Sequence, residues 1–245
     1  MPFESSTMQA ERREAATLVY LVRHGRTAMN AAVRFRGRMD VPLDEIGRQE
    51  ALEVAENLAP VRLAKVYSSP LSRARDVAAA IVEKSGLTGY EVLDGLTNLD
   101  YGDWEGLTKE ECADRDPELF ATYANNPERA HCPSGESLAD AADRMVEALR
   151  TIGDRSPGEP VAAVTHGAMV RLAALRVGGR GGSDWQFYLP TGAATVFVVE
   201  RDGIRLVETP DRRLPDPIKG AAGQVPGAPE RGADDGNRTE AVAES

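Results

Sequence analysis

Thr17-Leu18-Val19-Tyr20-Leu21-Val22-Arg23-His24-Gly25 begins with six apolar or β-branched residues and then turns abruptly polar. So short and apolar a run reads as a strand covered on both faces, as strands of a parallel sheet are. The pattern recurs at Pro160-Val161-Ala162-Ala163-Val164-Thr165-His166-Gly167, again ending in His-Gly. A third run, Leu63 to Ser68, lies between them. Helical periodicities separate these strands. One covers Glu45 to Leu58, behind Pro42 and Asp44. A second is opened by Pro70, carries Ala74, Val77, Ala78, Ile81 and Val82 on one face, and stops at Gly86. A third, capped by Ser137, places Leu138, Ala141, Ala142, Met145, Leu149 and Ile152 on one stripe. A helix from Ala168 to Val177 follows the His166 strand. Ala194 to Glu200 and Ile204 to Glu208 make a hairpin about Asp202-Gly203. Strands alternating with helices predict an α/β fold of three layers, αβα, around a mostly parallel central sheet.

The 245 residues are expected to hold one such domain over 17–209, behind a flexible leader at 1–16. Within it, Val92 to Tyr101 reads as extended, and Thr108-Lys109-Glu110-Glu111 has capping-box spacing. Residues 107–134, punctuated by Asp116-Pro117 and Asn126-Pro127, read as an irregular insertion at the mouth of a site. The stretch 210–245 is Pro, Gly, Ala and charge; it cannot offset its ordering entropy and is expected to be disordered.

Lysine and arginine total 29 against 39 aspartates and glutamates, a net charge of −10, and aromatics are 5%. That balance excludes general affinity for nucleic acid or anionic membranes. An anionic substrate must therefore be held by a few well-placed cations. No apolar run approaches the roughly 18 residues of a membrane span, and the N-terminus lacks a signal-peptide core. Two cysteines build no disulfide framework. A cytoplasmic protein is expected.

Two of the three histidines, His24 and His166, each follow a buried strand and precede a glycine (Gly25, Gly167). In doubly wound sheets, sites form beyond the carboxyl ends of the strands, so the two histidines are placed to share a crevice. Arg23, Arg26 and Arg36 flank the first, and Arg73 begins the helix after the second strand. Guanidinium groups bind phosphate oxygens bidentately, and several of them beside two histidines point to a phosphate pocket. No metal is called for. The chain has no phosphate loop and no His-Glu-x-x-His, and Cys112, His131 and Cys132 match no compact zinc spacing.

Leu21-Val22-Arg23-His24-Gly25-Arg26-Thr27-Ala28-Met29-Asn30 resembles the L-x-R-H-G-x-T-x-x-N signature of the histidine phosphatase (phosphoglycerate mutase-like) superfamily. The resemblance continues in family order through Gly37-Arg38-Met39-Asp40-Val41-Pro42-Leu43 and Tyr67-Ser68-Ser69-Pro70-Leu71-Ser72-Arg73-Ala74. It resumes at Gly102-Asp103-Trp104-Glu105-Gly106, Gly135-Glu136-Ser137 and Thr165-His166-Gly167, spanning roughly 18 to 200. It implies that His24 is a nucleophile taking the phosphoryl group as a phosphohistidine, which water then hydrolyses. Arg23, Arg73 and His166, the last as a cation, would bind the equatorial oxygens. Thr27 and Asn30 would bond to the phosphate or to the loop, and Arg36, Gly37 and Gly167 would complete a substrate site with no cofactor. A small phosphorylated metabolite is the implied partner.

One position departs from the pattern. The family's usual proton donor is a glutamate six residues before the tryptophan, and here that residue is Asn98. An amide cannot donate that proton. Asp100 would share a face with Asn98 in an extended segment and is the candidate substitute acid, or else a loop carboxylate paired to an arginine. Three activities remain open: a phosphomonoesterase, a phosphoglycerate mutase-type transferase, and a low-activity phosphate-binding pseudoenzyme.

Overall fold

The computed structural model describes residues 15–178 and 185–211. In chain order the elements are β1 (Thr17–Arg23), α1 (Ala28–Ala31), α2 (Glu45–Leu58), β2 (Lys65–Ser68), α3 (Ser72–Ser85) and β3 (Glu91–Val92). They continue with α4 (Lys109–Arg115), α5 (Pro117–Asn125), α6 (Leu138–Arg155), β4 (Pro160–Thr165), α7 (Gly167–Gly178), β5 (Ala194–Glu200) and β6 (Gly203–Asp211). The six strands form one sheet in the order β3-β2-β4-β1-β5-β6. β3, β2, β4 and β1 run parallel; β5 is antiparallel to β1, and β6 to β5.

Strand alternation builds the layers. Val19 and Leu21 of β1 face one core, with α6 and α7. Tyr20 and Val22 face the other, with α2 and α3. The fold is thus α/β with three layers and a mostly parallel central sheet. The stripe on α6 is fully used: Leu138, Ala141, Met145, Leu149 and Ile152 are all buried. Truncating one of its large members to alanine costs about 2–5 kcal/mol. Asp44 caps α2 by accepting from the Gly47 N–H at 2.8 Å, and Ser137 caps α6 by accepting from Asp140 N–H at 3.0 Å. Thr108 and Glu111 close the expected capping box on α4.

The structure departs from the sequence reading in four places. Helix α3 begins at Ser72, not at Pro70, and its first N–H groups are capped from another loop, Asp40 Oδ1 accepting from Ser72 N–H at 2.8 Å. Val92 to Tyr101 is not extended. β3 ends at Val92 and 3₁₀ turns follow at Asp94–Leu96 and Gly102–Trp104; burial falls at Leu96, Asn98, Leu99 and Tyr101, which fits neither face of a single strand. The stretch 107–134 is not irregular but carries α4 and α5, wrapped around Trp104, Phe120 and Tyr123, whose rings pack 5.7–5.8 Å apart. β6 runs to Asp211, two residues past the expected boundary at 209. The leader at 1–16 and the tail at 210–245 otherwise lie outside the described residues. Among those residues, no helix is long and apolar enough to cross a membrane.

Val33 ends α1 in a left-handed conformation, φ +54. Arg34 N–H donates to Met29 C=O at 3.0 Å and Val33 N–H to Asn30 C=O at 3.1 Å, the paired bonds of a Schellman motif whose left-handed position favours glycine. A β-branched residue there costs about 1–2 kcal/mol, and at 67% exposure its side chain recovers little by burial. Val33→Gly is therefore expected to raise the melting temperature by about 2–4 °C, and a lower melting temperature would contradict the strain.

Candidate active site

Three adjacent parallel strands deliver the site. β1 and β4 pair with Arg23 opposite Thr165, and His24 N–H donates to Thr165 C=O at 3.0 Å, so the two His-Gly steps emerge side by side. Their rings stand 5.1 Å apart at 61°. From β2, Ser69 N–H donates to Val164 C=O at 2.9 Å, which brings Ser69 and the start of α3 to the same sheet edge. The close approach of α2 needs the first glycine: a Cβ on Gly25 would sit 2.3 Å from Gly47 C=O.

The hydrogen bonds fix which nitrogens are free. His24 Nδ1 lies 2.6 Å from the Gly25 carbonyl, which can only accept, so Nδ1 carries the proton and Nε2 the lone pair. That Nε2 is buried without a partner. Burial, then the charges of Arg73, Arg36 and Arg23, hold His24 well below the ordinary imidazole pKa, keeping the lone pair available.

His166 is also neutral, held down by burial and then by Arg73. Both causes oppose the cation that the resemblance implies, whereas the two charges of a phosphate beside the ring would act in its favour. Its Nε2 meets Ser69 Oγ at 2.8 Å, and Ser69 Oγ already accepts from Leu71 N–H at 3.4 Å. The Ser69 O–H meets no other acceptor among the described residues and is satisfied by donating to Nε2, which assigns the ring proton to Nδ1, a buried group with no protein partner. A neutral His166 still offers an N–H.

Both states have a consequence for stability. An unfolded chain protonates its histidines near pH 6.5, whereas His24 and His166 resist protonation when folded. Below that pH the unfolded state binds more protons, so stability falls by up to ~1.4 kcal/mol per histidine per pH unit until the folded pKa values are reached. Urea midpoints are expected to drop between pH 7 and pH 5. The drop should flatten in His24→Gln/His166→Gln; an equally steep drop in that double variant would place its origin elsewhere.

Around the histidines the donors are cationic and undersupplied with acceptors. Arg73 is fully buried and gives Nη1 to Met39 C=O at 2.7 Å and Nη2 to Gly37 C=O at 2.9 Å, with Nε unpaired. Arg23 gives Nη1 to Leu189 C=O, again with Nε unpaired. Burial and then the charge of Arg36 pull Arg23 down to about 9 and Arg73 to about 10. Both remain protonated at neutral pH, and the direction marks positive charge in want of an anion. Gly37 is the second obligatory glycine: its φ is +52, and a Cβ would lie 1.7 Å from Glu105 Oε1.

A cavity of about 280 Å³ opens beside this cluster. Its wall includes Arg23, Arg36, Asn98 and Gly167, and among the described residues it holds five cations and no carboxylate. The imidazoles, 0% and 1% exposed, do not themselves reach that wall. Asn30 does reach it, but its Oδ1 accepts from Thr27 N–H at 3.0 Å and Thr27 Oγ–H at 2.9 Å. Thr27 therefore serves the loop, and only the Asn30 amide nitrogen remains for a ligand. Arg26 is turned away, paired to Asp44 at 2.8 Å.

At the acid position, Asn98 reaches the cavity wall and Asp100 does not. Asn98 is 3% exposed and lines the cavity; its Nδ2 donates to Gly37 C=O at 2.9 Å and its Oδ1 is unpaired. Asp100 accepts from Gly102 N–H at 2.9 Å, meets Arg38 at 3.3 Å, and does not line the cavity. Sequence reasoning also missed two residues. Ser69 carried no signal beyond its place at a strand end. Arg171 did: it stands four residues after Gly167 on α7, one helical turn along the same face.

A sheet with two histidines and unpaired arginines at the ends of parallel strands defines a phosphoryl-transfer protein of the histidine type. The chain belongs to the histidine phosphatase superfamily (branch 1), whose family model matches residues 19–212. It is 37% identical to phosphoglycerate mutase-like protein 4 of Arabidopsis thaliana, over 69% of this chain and 74% of that one. It is 36% identical to a metal-independent phosphoserine phosphatase of the same plant, over 66% and 68%. Among solved structures, Bacillus stearothermophilus YhfR superposes with a TM-score of 0.72 at 30% identity, over 81% of this chain and 98% of that one.

Proposed function

We propose that this phosphohydrolase is a metal-independent, cytoplasmic phosphomonoesterase that hydrolyses a small phosphorylated metabolite through a phosphohistidine on His24. The observation that carries the reading is the bare, buried Nε2 of His24 among donors that lack acceptors. The Nε2 lone pair attacks phosphorus in line with the ester oxygen; the N–P bond forms as the P–O bond breaks, and the leaving oxygen takes a proton from water. Water then attacks the phosphohistidine, releasing inorganic phosphate and restoring His24. The transferring group has three equatorial oxygens, and of the site's four buried donors without a protein acceptor, Arg23 Nε, Arg73 Nε and His166 Nδ1–H are assigned to them, with Arg36 Nε left over. Each is worth about 10²- to 10³-fold in turnover if it acts as oxyanion donors do.

Guanidinium groups take the place a metal holds in other phosphatases, and no group of three His, Cys, Asp or Glu among the described residues is placed to bind one. The name of the phosphoserine phosphatase relative supports the same reading. Phosphate release from a panel of phosphometabolites in excess EDTA tests it: turnover should persist unchanged. Activity lost to EDTA and restored by magnesium or zinc would overturn the assignment.

Asn98 favours a second reading, a protein that binds phosphate esters without turning them over, since no carboxylic acid lies on the wall to protonate the leaving group. Tight binding with no phosphate release from any member of the panel would favour it.

A further inference from the structure

Two loops hold Arg23, and one carboxylate ties them together. The first, Leu189 to Ala193 ahead of β5, grips both the main chain and the guanidinium of Arg23. Ala193 C=O accepts from Arg23 N–H at 2.9 Å, and Gly192 N–H donates to Arg23 C=O at 3.1 Å. Leu189 C=O accepts from Arg23 Nη1–H. The guanidinium is thereby fixed from one side, and its unpaired Nε is the donor assigned to a phosphoryl oxygen. The second loop is the chain that leaves His24 through Gly25 into Arg26.

Glu50 of α2 joins the two. It is 8% exposed; its Oε2 accepts from Arg26 N–H at 2.7 Å and its Oε1 from Thr191 Oγ–H at 2.7 Å. A buried carboxylate needs such donors, and hydrogen bonds to an ionised acceptor are the short, strong ones. Gly192 turns the first loop against this side chain in the left-handed conformation, φ +71, and a Cβ there would stand 3.4 Å from Glu50 Cβ. The Glu50 charge also acts on Arg23, in favour of the protonated guanidinium. Glu50 itself does not line the cavity.

We propose that Glu50 is a positioning residue for phosphoryl transfer: by clamping the His24–Arg26 loop to the Leu189–Ala193 loop, it holds the Arg23 guanidinium in the setting that leaves Nε free for a phosphoryl oxygen. The proposal rests on the phosphomonoesterase reading for what Arg23 does, and on the hydrogen bonds alone for the clamp.

A double-mutant cycle tests it. Arg23→Met removes one oxyanion donor and is expected to lose about 10²- to 10³-fold in kcat/KM. Glu50→Ala leaves Arg23 present but loosely held and should lose about 10- to 100-fold. The double variant should lose no more than Arg23→Met alone, because the clamp then has nothing to position. Glu50→Gln should restore most of the Glu50→Ala loss, since its Oε1 can accept from Arg26 N–H while its Nε2 donates to Thr191 Oγ. If Glu50→Ala does not fold, Thr191→Val takes its place in the cycle, cutting one bond and keeping the carboxylate, and should show a smaller loss that again vanishes beside Arg23→Met. If the parent hydrolyses no phosphometabolite, the phosphomonoesterase reading fails, and the same cycle is read in the calorimetric affinity for inorganic phosphate, which needs Arg23 and no turnover. Losses that multiply in the double variant overturn the proposal, since Glu50 would then act on the fold at large. So does a folded Glu50→Ala, or a Thr191→Val in its place, that matches the parent, or a loss that Glu50→Gln fails to rescue.

Discussion

His24→Ala is expected to lose phosphate release by at least about 10⁴-fold on every substrate while remaining folded. The size follows from removing the attacking atom, for which no other side chain substitutes. The Ser69 hydroxyl, at the same sheet edge, is spent on His166 Nε2 and Leu71 N–H. The fold should survive, because the ring's only protein bond is to the adjacent Gly25 carbonyl, while the strand register is fixed by the His24 backbone N–H to Thr165, which alanine keeps. Removing one buried neutral histidine crowded by guanidinium groups even favours a modest gain in stability at low pH. Circular dichroism should match the parent, and substrate affinity should persist. Turnover within tenfold of the parent would remove His24 from the chemistry.

Asn98→Glu is expected to raise turnover on alkyl phosphates and to leave p-nitrophenyl phosphate nearly unchanged. An alkoxide leaving group needs a proton; p-nitrophenolate departs as a stable anion. At position 98 a carboxyl group would replace the Nδ2 contact with the Gly37 carbonyl. Burial and that carbonyl both favour the protonated acid, which is the form a general acid needs. The ceiling is the roughly 10²- to 10⁴-fold of a positioned acid, and an unsupported side chain should recover part of it. Asp100→Asn should leave the alkyl-to-aryl ratio unchanged, since Asp100 is held by Arg38 and Gly102 away from the cavity. If Asn98→Glu lowers turnover on both substrate classes, the amide has a role of its own, served by its unpaired Oδ1.

What the sequence made legible follows the physics of each signal. Buried parallel strands are continuous apolar runs, so β1 and β4 were readable, and the His-Gly step after each located the sheet edge. Strong amphipathic helices with side-chain caps were readable: α2 at both ends, and α6 at its start and along its stripe to Ile152, short of its end at Arg155. The turns after β3 were not, because Leu96 and Leu99 pack against distant parts of the chain, and tertiary burial there overrides an extended pattern. That one misreading displaced Asp100 into a site it does not enter. The neutral state of His166 was equally out of reach, since it depends on burial in the fold and on Arg73 from another strand end. Arg171 was within reach through the helical spacing from Gly167.

The account stands on a covalent bond between phosphorus and His24 Nε2. Rapid acid-free quenching of the parent protein during turnover of a labelled phosphomonoester, followed by peptide mapping, looks for that bond directly. The account predicts acid-labile, alkali-stable phosphate on the peptide containing His24, formed and lost at rates that match turnover. Phosphate mapped to another residue, or label that persists in His24→Ala, would contradict it.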